Sequence, residues 1–267
     1  MTNKFKILVT AAISTLVINA CYDREQSLTT IQADPANNIA YVKFINTYAA
    51  NNPTTVSPAG GPTVNVYVNG AKINAAPLGF GGSFPLSPSY TGVAPGLAIN
   101  IKVIMNRTNN TPVAGDTLSN KNYDLGVNSY TTFYIADTTP NPTPLNPFIV
   151  PIQELVTDAP PGYFRARFVN MIPSNDTLEV VSKRLNTVIF SGQLYKNASP
   201  MVELPTSIVG DTLQLRRVSA PATILVTTPV TAPFLPTSGR VYTFYCTGLI
   251  TATTGTRARA LTFFTNR

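Results

Sequence analysis

The sequence predicts an all-β protein built from two tandem immunoglobulin-like β-sandwich domains. Along most of the 267 residues, runs rich in Val, Ile, Thr, Tyr and Phe alternate with clusters of Pro, Gly, Asn and Ser. This pattern is typical of strands separated by turns. Within the runs, apolar and polar residues alternate, which gives each strand one face toward a core. The third observation is an internal repeat of about 110 residues, which predicts two domains of the same kind.

The first 20 residues are predicted to be an export signal. Lys4 and Lys6 precede an apolar stretch at 7–18, which is shorter than the roughly 20 apolar residues of a membrane-spanning helix. The alternative is a buried first strand or helix. The segment Ile18-Asn19-Ala20-Cys21 resembles the lipobox of bacterial lipoproteins, which implies that Cys21 is lipidated and becomes the mature N-terminus. We therefore expect a lipid anchor to the membrane.

Residues 21–38 are expected to form a flexible, lipid-anchored tether, because they are mostly polar. Asp23 and Glu25 resemble the surface-export signals of some Gram-negative lipoproteins, and an ordinary charged tether is the alternative. The expected location is the outer membrane of a Gram-negative bacterium, on the cell surface.

The rest of the chain divides into a first β-sandwich at 39–153, a linker at 154–162 that carries Pro and Asp, and a second β-sandwich at 163–267. Four segments of the first domain match four of the second in the same order: 40–46 with 164–170, 64–68 with 178–182, 97–103 with 213–218, and 128–135 with 239–246. Four ordered matches at similar spacing indicate a duplication.

Alternation within these segments predicts which side chains are buried. Val42 and Phe44 flank Lys43, and Arg167 has the same alternating position in the second domain. The apolar set must pack against a second sheet, which predicts a sandwich of about seven strands per domain. The arginines of the second half are expected on solvated strand faces.

Two of the segments carry a family resemblance. Val42-Lys-Phe-Ile-Asn46 and Val64-Asn-Val-Tyr-Val-Asn-Gly70 resemble the opening of domain-of-unknown-function family 4397, and Asn69-Gly70 predicts a two-residue hairpin. Residues 166–181 are similar, although 182–186 lack the hairpin. The resemblance covers residue 39 to the C-terminus. It implies exported β-sandwich domains, often paired on surface lipoproteins, and supplies no catalytic residues.

Composition excludes several kinds of chemistry. The chain has no His, which rules out His-ligated metals and Ser-His-Asp catalysis. With Cys21 lipidated, Cys246 has no disulfide partner and is expected to be a buried free thiol. Removal of Lys4 and Lys6 lowers the net charge from +7 to +5, which gives little reason to expect a nucleic-acid partner. We expect no cofactor, no metal and no catalytic residue, and therefore a protein that is not an enzyme.

Carboxylate hydrolysis is the remaining enzymatic possibility, because glycosidases need two carboxyl groups about 5–10 Å apart. Asp176 and Glu179 are the only acids of the folded part that lie close in sequence. A turn aspartate and a strand-face glutamate explain them without any catalytic role.

The candidate binding loop is Gly79-Phe80-Gly-Gly-Ser-Phe84. Phe80 and Phe84 could form an apolar lip, or they could pack inward from a bulged strand. Tyr48 and Tyr90 could add stacking surfaces for sugar rings, although the absence of Trp weakens a glycan-binding interpretation.

The tripeptide Asp-Thr-Leu occurs three times, with its threonines at Thr117, Thr177 and Thr212. It resembles an O-glycosylation acceptor of some Gram-negative bacteria. The alternative is a turn aspartate followed by the start of a strand.

These observations favour surface adhesion, glycan binding or partner binding through loops held by a rigid scaffold. The rival is a structural spacer or accessory subunit of an outer-membrane complex, recognised through a strand edge.

Overall fold

The computed structural model describes residues 38–49, 63–106, 117–137, 147–208, 210–228, 234–255 and 257–266. The predicted all-β class is confirmed, with 56% strand and no α-helix among these residues. The export signal, most of the tether and Cys21 lie outside the described residues. The described residues belong to one compact unit.

In the described part of the chain, the first half contributes nine strands: β1 (Ala40–Asn46), β2 (Val64–Val68), β3 (Ala71–Lys72), β4 (Ser83–Phe84), β5 (Thr91–Val93), β6 (Gly96–Met105), β7 (Thr117–Leu125), β8 (Tyr130–Asp137) and β9 (Pro147–Gln153). The second half contributes eight: β10 (Tyr163–Asn170), β11 (Leu178–Ser182), β12 (Thr187–Gln193), β13 (Val202–Pro205), β14 (Leu213–Arg217), β15 (Ala220–Thr227), β16 (Val241–Thr247) and β17 (Ala260–Thr265). A short 3₁₀ turn at Thr206–Ile208 follows β13.

The strands form four sheets. Sheet I has the order β4-β1-β8-β9, with β5 also paired to β1, and sheet II has the order β3-β2-β6-β7. Sheet III has the order β13-β10-β16-β17, and sheet IV has the order β12-β11-β14-β15. Two pairs are parallel, β1 with β8 and β10 with β16, and the other pairs are antiparallel.

One hydrophobic core lies between sheets I and II. Phe44 and Phe133 project from sheet I with their rings 5.2 Å apart, and Val66 and Ile101 reach the same cluster from sheet II. All four side chains are fully buried. The alternation in the sequence therefore places these apolar residues as predicted, with sheet packed on sheet.

A second core lies between sheets III and IV and is rich in aromatic rings. Phe244 of sheet III lies 5.7 Å from Phe190 of sheet IV, measured between ring centroids. Phe168 and Leu215 belong to the same cluster. Aromatic pairs at such separations add about 0.5–1.5 kcal/mol beyond the area that they bury.

The strand order differs from that of an immunoglobulin constant domain. There the first two strands share a sheet, whereas β1 and β2 lie in different sheets here, as do β10 and β11. Alternation and hairpin signals could not reveal this, because a strand has the same period in whichever sheet it joins.

The hairpin predicted at Asn69-Gly70 is confirmed. Both residues have positive φ, 47° and 81°, as a two-residue turn of type I′ requires. The turn joins β2 to β3, with Val68 opposite Ala71.

A third apolar cluster joins the outer faces of sheets I and III. Its buried members are Ile45, Tyr134, Ala136, Val150, Val169, Met171, Tyr245 and Phe264. The expectation of a solvated Arg167 is therefore wrong, since this side chain lies at the same contact and its residue is 8% exposed. Lys43, on the charged face of β1, is fully buried. Alternation showed that the strands have two faces but not that another sheet covers the second one.

Candidate functional site

A pocket of about 360 Å³ opens at one end of the first sheet pair. It lies where β6 begins and β7 ends, and its lining includes Asn38, Leu97, Asp124, Leu125 and Val127. Leu97 is 83% exposed and Val127 is 51% exposed. Two large apolar side chains at the mouth of one pocket form a surface that can take an apolar group of a ligand.

A local distortion of β6 lies beside this pocket. The pairing of β6 with β7 is irregular between Gly96 and Ile99, and Ala98 has a φ of +58°. The backbone N–H of Ala98 donates to Asp124 Oδ1 at 2.9 Å. A non-glycine residue in the left-handed region costs about 1–3 kcal/mol and occurs often at functional positions. The pocket was not predicted from the sequence, in which its one signal is Pro95-Gly96 just before the apolar start of β6.

The four aromatic residues considered for binding, two for an apolar lip and two for stacking, do not assemble into one surface. Tyr48 is 1% exposed and belongs to the core between sheets I and II, so it offers no stacking face to solvent. Phe84 lies opposite Phe44 in the pairing of β4 with β1 and packs against the same core, which matches the inward alternative. Phe80 is half-buried in a turn in which Gly82 N–H donates to the Gly79 carbonyl oxygen at 3.0 Å.

Tyr90 contributes instead to the contact between sheets I and III. Its ring is half-buried and meets Tyr130 edge-on at 5.1 Å. The Nζ atom of Lys43 lies 4.9 Å from the centre of the Tyr90 ring. Burial raises the pKa of the Tyr90 hydroxyl above its ordinary value, and the negative charge of Glu154 raises it further.

Each of the two acids considered for hydrolysis, Asp176 and Glu179, pairs with an arginine. Asp176 Oδ2 lies 3.1 Å from Arg217 Nε, and Glu179 Oε1 accepts from Arg216 Nε at 2.6 Å. The pattern is that of strand-face ion pairs.

Cys246 is a buried free thiol, as predicted. Its Sγ lies 3.2 Å from Asn170 Oδ1. Burial raises the pKa of the thiol to about 12, so the reactive thiolate is scarce at neutral pH.

The three Asp-Thr-Leu threonines lie beside the starts of strands. Thr117 is exposed at the first position of β7, whereas Thr177 and Thr212 are half-buried just before β11 and β14. Asp211 is 1% exposed and accepts from the hydroxyl of Ser182 and from the backbone N–H of Arg184. This third aspartate therefore stabilises a turn, and whether the threonines carry sugars stays a prediction.

A polar cluster surrounds Glu154 at the contact between sheets I and III. Its Oε2 accepts from Arg167 Nη2, from Thr243 Oγ1 at 2.9 Å and from Asn266 Nδ2 at 3.0 Å. The Glu154 side chain is fully buried, and that of Arg167 is 10% exposed. Glu154 follows β9 of sheet I, whereas the three donors lie on or next to strands of sheet III, so the cluster fixes the second half of the chain to the first.

Lys43 is a second buried charge at this contact. Its ammonium donates to the carbonyl oxygens of Pro85 at 3.0 Å and Ser89 at 2.6 Å, and it faces the Phe264 ring at 5.4 Å. Burial lowers the pKa of Lys43 to about 8, and the charge of Glu154 partly offsets this effect. Lys43 and Arg167 match in the alignment of the halves, but this match alone does not show that both side chains are buried at one contact.

Among the residues that the structure describes, no group of three or more His, Cys, Asp or Glu side chains could hold a metal ion. The described part also contains no helix long and apolar enough to cross a membrane. A comparison with protein-family models finds no matching family, and a search of curated proteins finds no match.

Proposed function

We propose that this protein is a non-enzymatic cell-envelope lipoprotein that binds a glycan or an envelope protein through loops at the end of its first β-sandwich. The lipid on Cys21 would attach it to the outer membrane, on the surface of a Gram-negative cell. The observation that carries the binding role is the pocket with Leu97 and Val127 exposed at its mouth. The pocket lies beside Ala98, whose left-handed backbone costs about 1–3 kcal/mol and is of a kind that occurs often at functional positions, which supports a recognition role.

We also infer that the two halves are a tandem pair of related domains, as in the family that the sequence resembles. In support, Phe44 lies opposite Phe133 in the parallel pair of the first half, and Phe168 lies opposite Phe244 in the second. The sequence alignment of the halves equates these same pairs. Each unit is immunoglobulin-like in having two sheets around one core, with a strand order of its own.

Binding of the full chain in detergent micelles to a glycan array and to solubilised envelope proteins tests the role of the pocket. Leu97→Ser combined with Val127→Ser should weaken capture at least tenfold, because the change removes the apolar mouth and leaves the buried core intact. Leu235→Ser is the control, since Leu235 is 60% exposed in the second half. Equal capture by both variants would refute the pocket.

Cell fractionation tests the anchor. Cys21→Ala should release the protein from membranes, because it removes the lipidated thiol. A variant that still fractionates with membranes contradicts the lipid anchor.

A structural spacer is the second candidate, and the buried contact between sheets I and III favours it. A polar network fixed between two apolar faces suits a rigid connection better than a hinge. If an envelope protein is captured equally well by the Leu97 and Val127 variant, the spacer role is favoured over binding through the pocket.

A further inference from the structure

The outer face of sheet II carries a row of four side chains across its four strands. Lys72 of β3 lies opposite Tyr67 of β2, Tyr67 lies opposite Lys102 of β6, and Lys102 lies opposite Asn120 of β7. The neighbours Val66 and Val68 of Tyr67 point into the core, so the half-exposed Tyr67 points outward. Directly opposite residues have their Cβ atoms about 4.5–5.5 Å apart, which places Tyr67 between two lysine residues.

The two lysines of this row are not neutralised. Neither Lys72 nor Lys102 has an ion-pair partner among the described residues. The acid on the same face of β7 is Asp124, whose Oδ1 is held by the backbone N–H of Ala98. The row therefore presents an aromatic residue between two lysines that have no ion-pair partner among the described residues.

The outer face of sheet IV provides an internal comparison. β11 is the second strand of sheet IV, as β2 is of sheet II. The central residue of β11 on the face away from the core is Val181, which lies opposite Gln214. On the same face Glu179 pairs with Arg216 at 2.6 Å. That face has no aromatic ring at its centre and neutralises its own charge, so the basic aromatic row is a particular feature of sheet II.

Side-chain amides complete the face of sheet II. The Nδ2 group of Asn100 donates to Asn120 Oδ1 at 2.8 Å and to Asn122 Oδ1 at 3.0 Å. These bonds orient both exposed amides and leave their N–H groups available to a ligand. Asparagine can donate to and accept from hydroxyl groups, which suits a ligand that carries many hydroxyls.

We infer that the outer face of sheet II binds an acidic polysaccharide whose sugars carry carboxylates. Tyr67 supplies the flat apolar surface for a sugar ring, Lys72 and Lys102 bind the carboxylates, and the amides of Asn120 and Asn122 bind hydroxyls. Charge complementarity selects an anionic ligand, and the combination of a ring with amides selects a sugar over a plain polyanion. This inference rests on the proposed binding role but concerns a face other than the pocket.

Affinity electrophoresis of the full chain in detergent, through gels containing polygalacturonate, tests the inference. Tyr67→Ala and the double variant Lys72→Gln with Lys102→Gln should each weaken retardation at least tenfold. The charge-matched control replaces exposed Lys183 and Arg240 of the second half with Gln and should leave retardation unchanged. Circular dichroism of each variant verifies that the fold is retained.

Three further ligands separate the contribution of charge from that of sugar recognition. Dextran, a neutral glycan, should bind more weakly than polygalacturonate, and polyglutamate should bind without any dependence on Tyr67. Polyglutamate or oligo-dT binding as tightly as polygalacturonate would overturn the inference, as would unchanged retardation of Tyr67→Ala. The pocket variant with Leu97→Ser and Val127→Ser should retain polygalacturonate binding. Failure of the sheet II inference and failure of the proposed pocket function therefore give different results.

Discussion

Replacing Glu154 with Gln should be among the most destabilising conservative changes in this protein. The substitution keeps the shape of the side chain but removes the charge that compensates Arg167, whose side chain is only 10% exposed. Removing one partner of a buried ion pair costs about 3–5 kcal/mol, because the remaining charge is left desolvated. Since domains are stable by only about 5–15 kcal/mol, this is a large fraction of the free energy of unfolding.

Urea unfolding followed by circular dichroism measures this loss, with the free energy extrapolated linearly to water. The control is Glu203→Gln, which removes the exposed pair of Arg165 and Glu203 at 3.4 Å and should cost about 0–1 kcal/mol. The double variant Glu154→Gln with Arg167→Met should lose less free energy of unfolding than the two single variants lose together, by more than about 1 kcal/mol. If Glu154→Gln and Glu203→Gln cost the same within about 1 kcal/mol, the network does not hold the halves together as argued.

Three other predictions use different measurements. Between about pH 8 and 10.5, Lys43 binds more protons in the unfolded protein than in the folded protein. The free energy of unfolding of the wild type should therefore rise over this range, relative to that of Lys43→Met, by on the order of 3 kcal/mol. If the difference between the two free energies stays constant from pH 7 to 10, burial does not lower the pKa of Lys43. Gly248→Ala should cost about 2–4 kcal/mol in urea unfolding, because its φ is +100° and a Cβ there would lie 2.4 Å from the Ala258 carbonyl oxygen. Gly255→Ala, with a φ of +82° and no atom within 4 Å of the added Cβ, should cost only about 1–2 kcal/mol, and equal costs would show that the clash is relieved. Cys246 should react with a thiol reagent only after denaturation, since it is fully buried; rapid labelling of the native protein would contradict this.

The local features of the fold were predictable from the sequence, and the candidate sites largely were not. Alternation placed Val42 and Phe44 in a core, and Asn69-Gly70 predicted the hairpin, because both signals depend on residues close in the chain. Tyr48 looked like a loop residue available for stacking but is buried. Its burial depends on strands that approach from far along the chain.

The sequence alone determined the strand period, the hairpin and the internal match of the two halves, because each follows from local conformational preference or from the order of the residues. Only the tertiary structure decided that β1 and β2 lie in different sheets, that Lys43 and Arg167 are buried, and that Leu97 is exposed. The physical reason is the same in the three cases. A strand has two faces whatever surrounds it, and long-range packing alone determines whether the second face meets water, a ligand or another sheet.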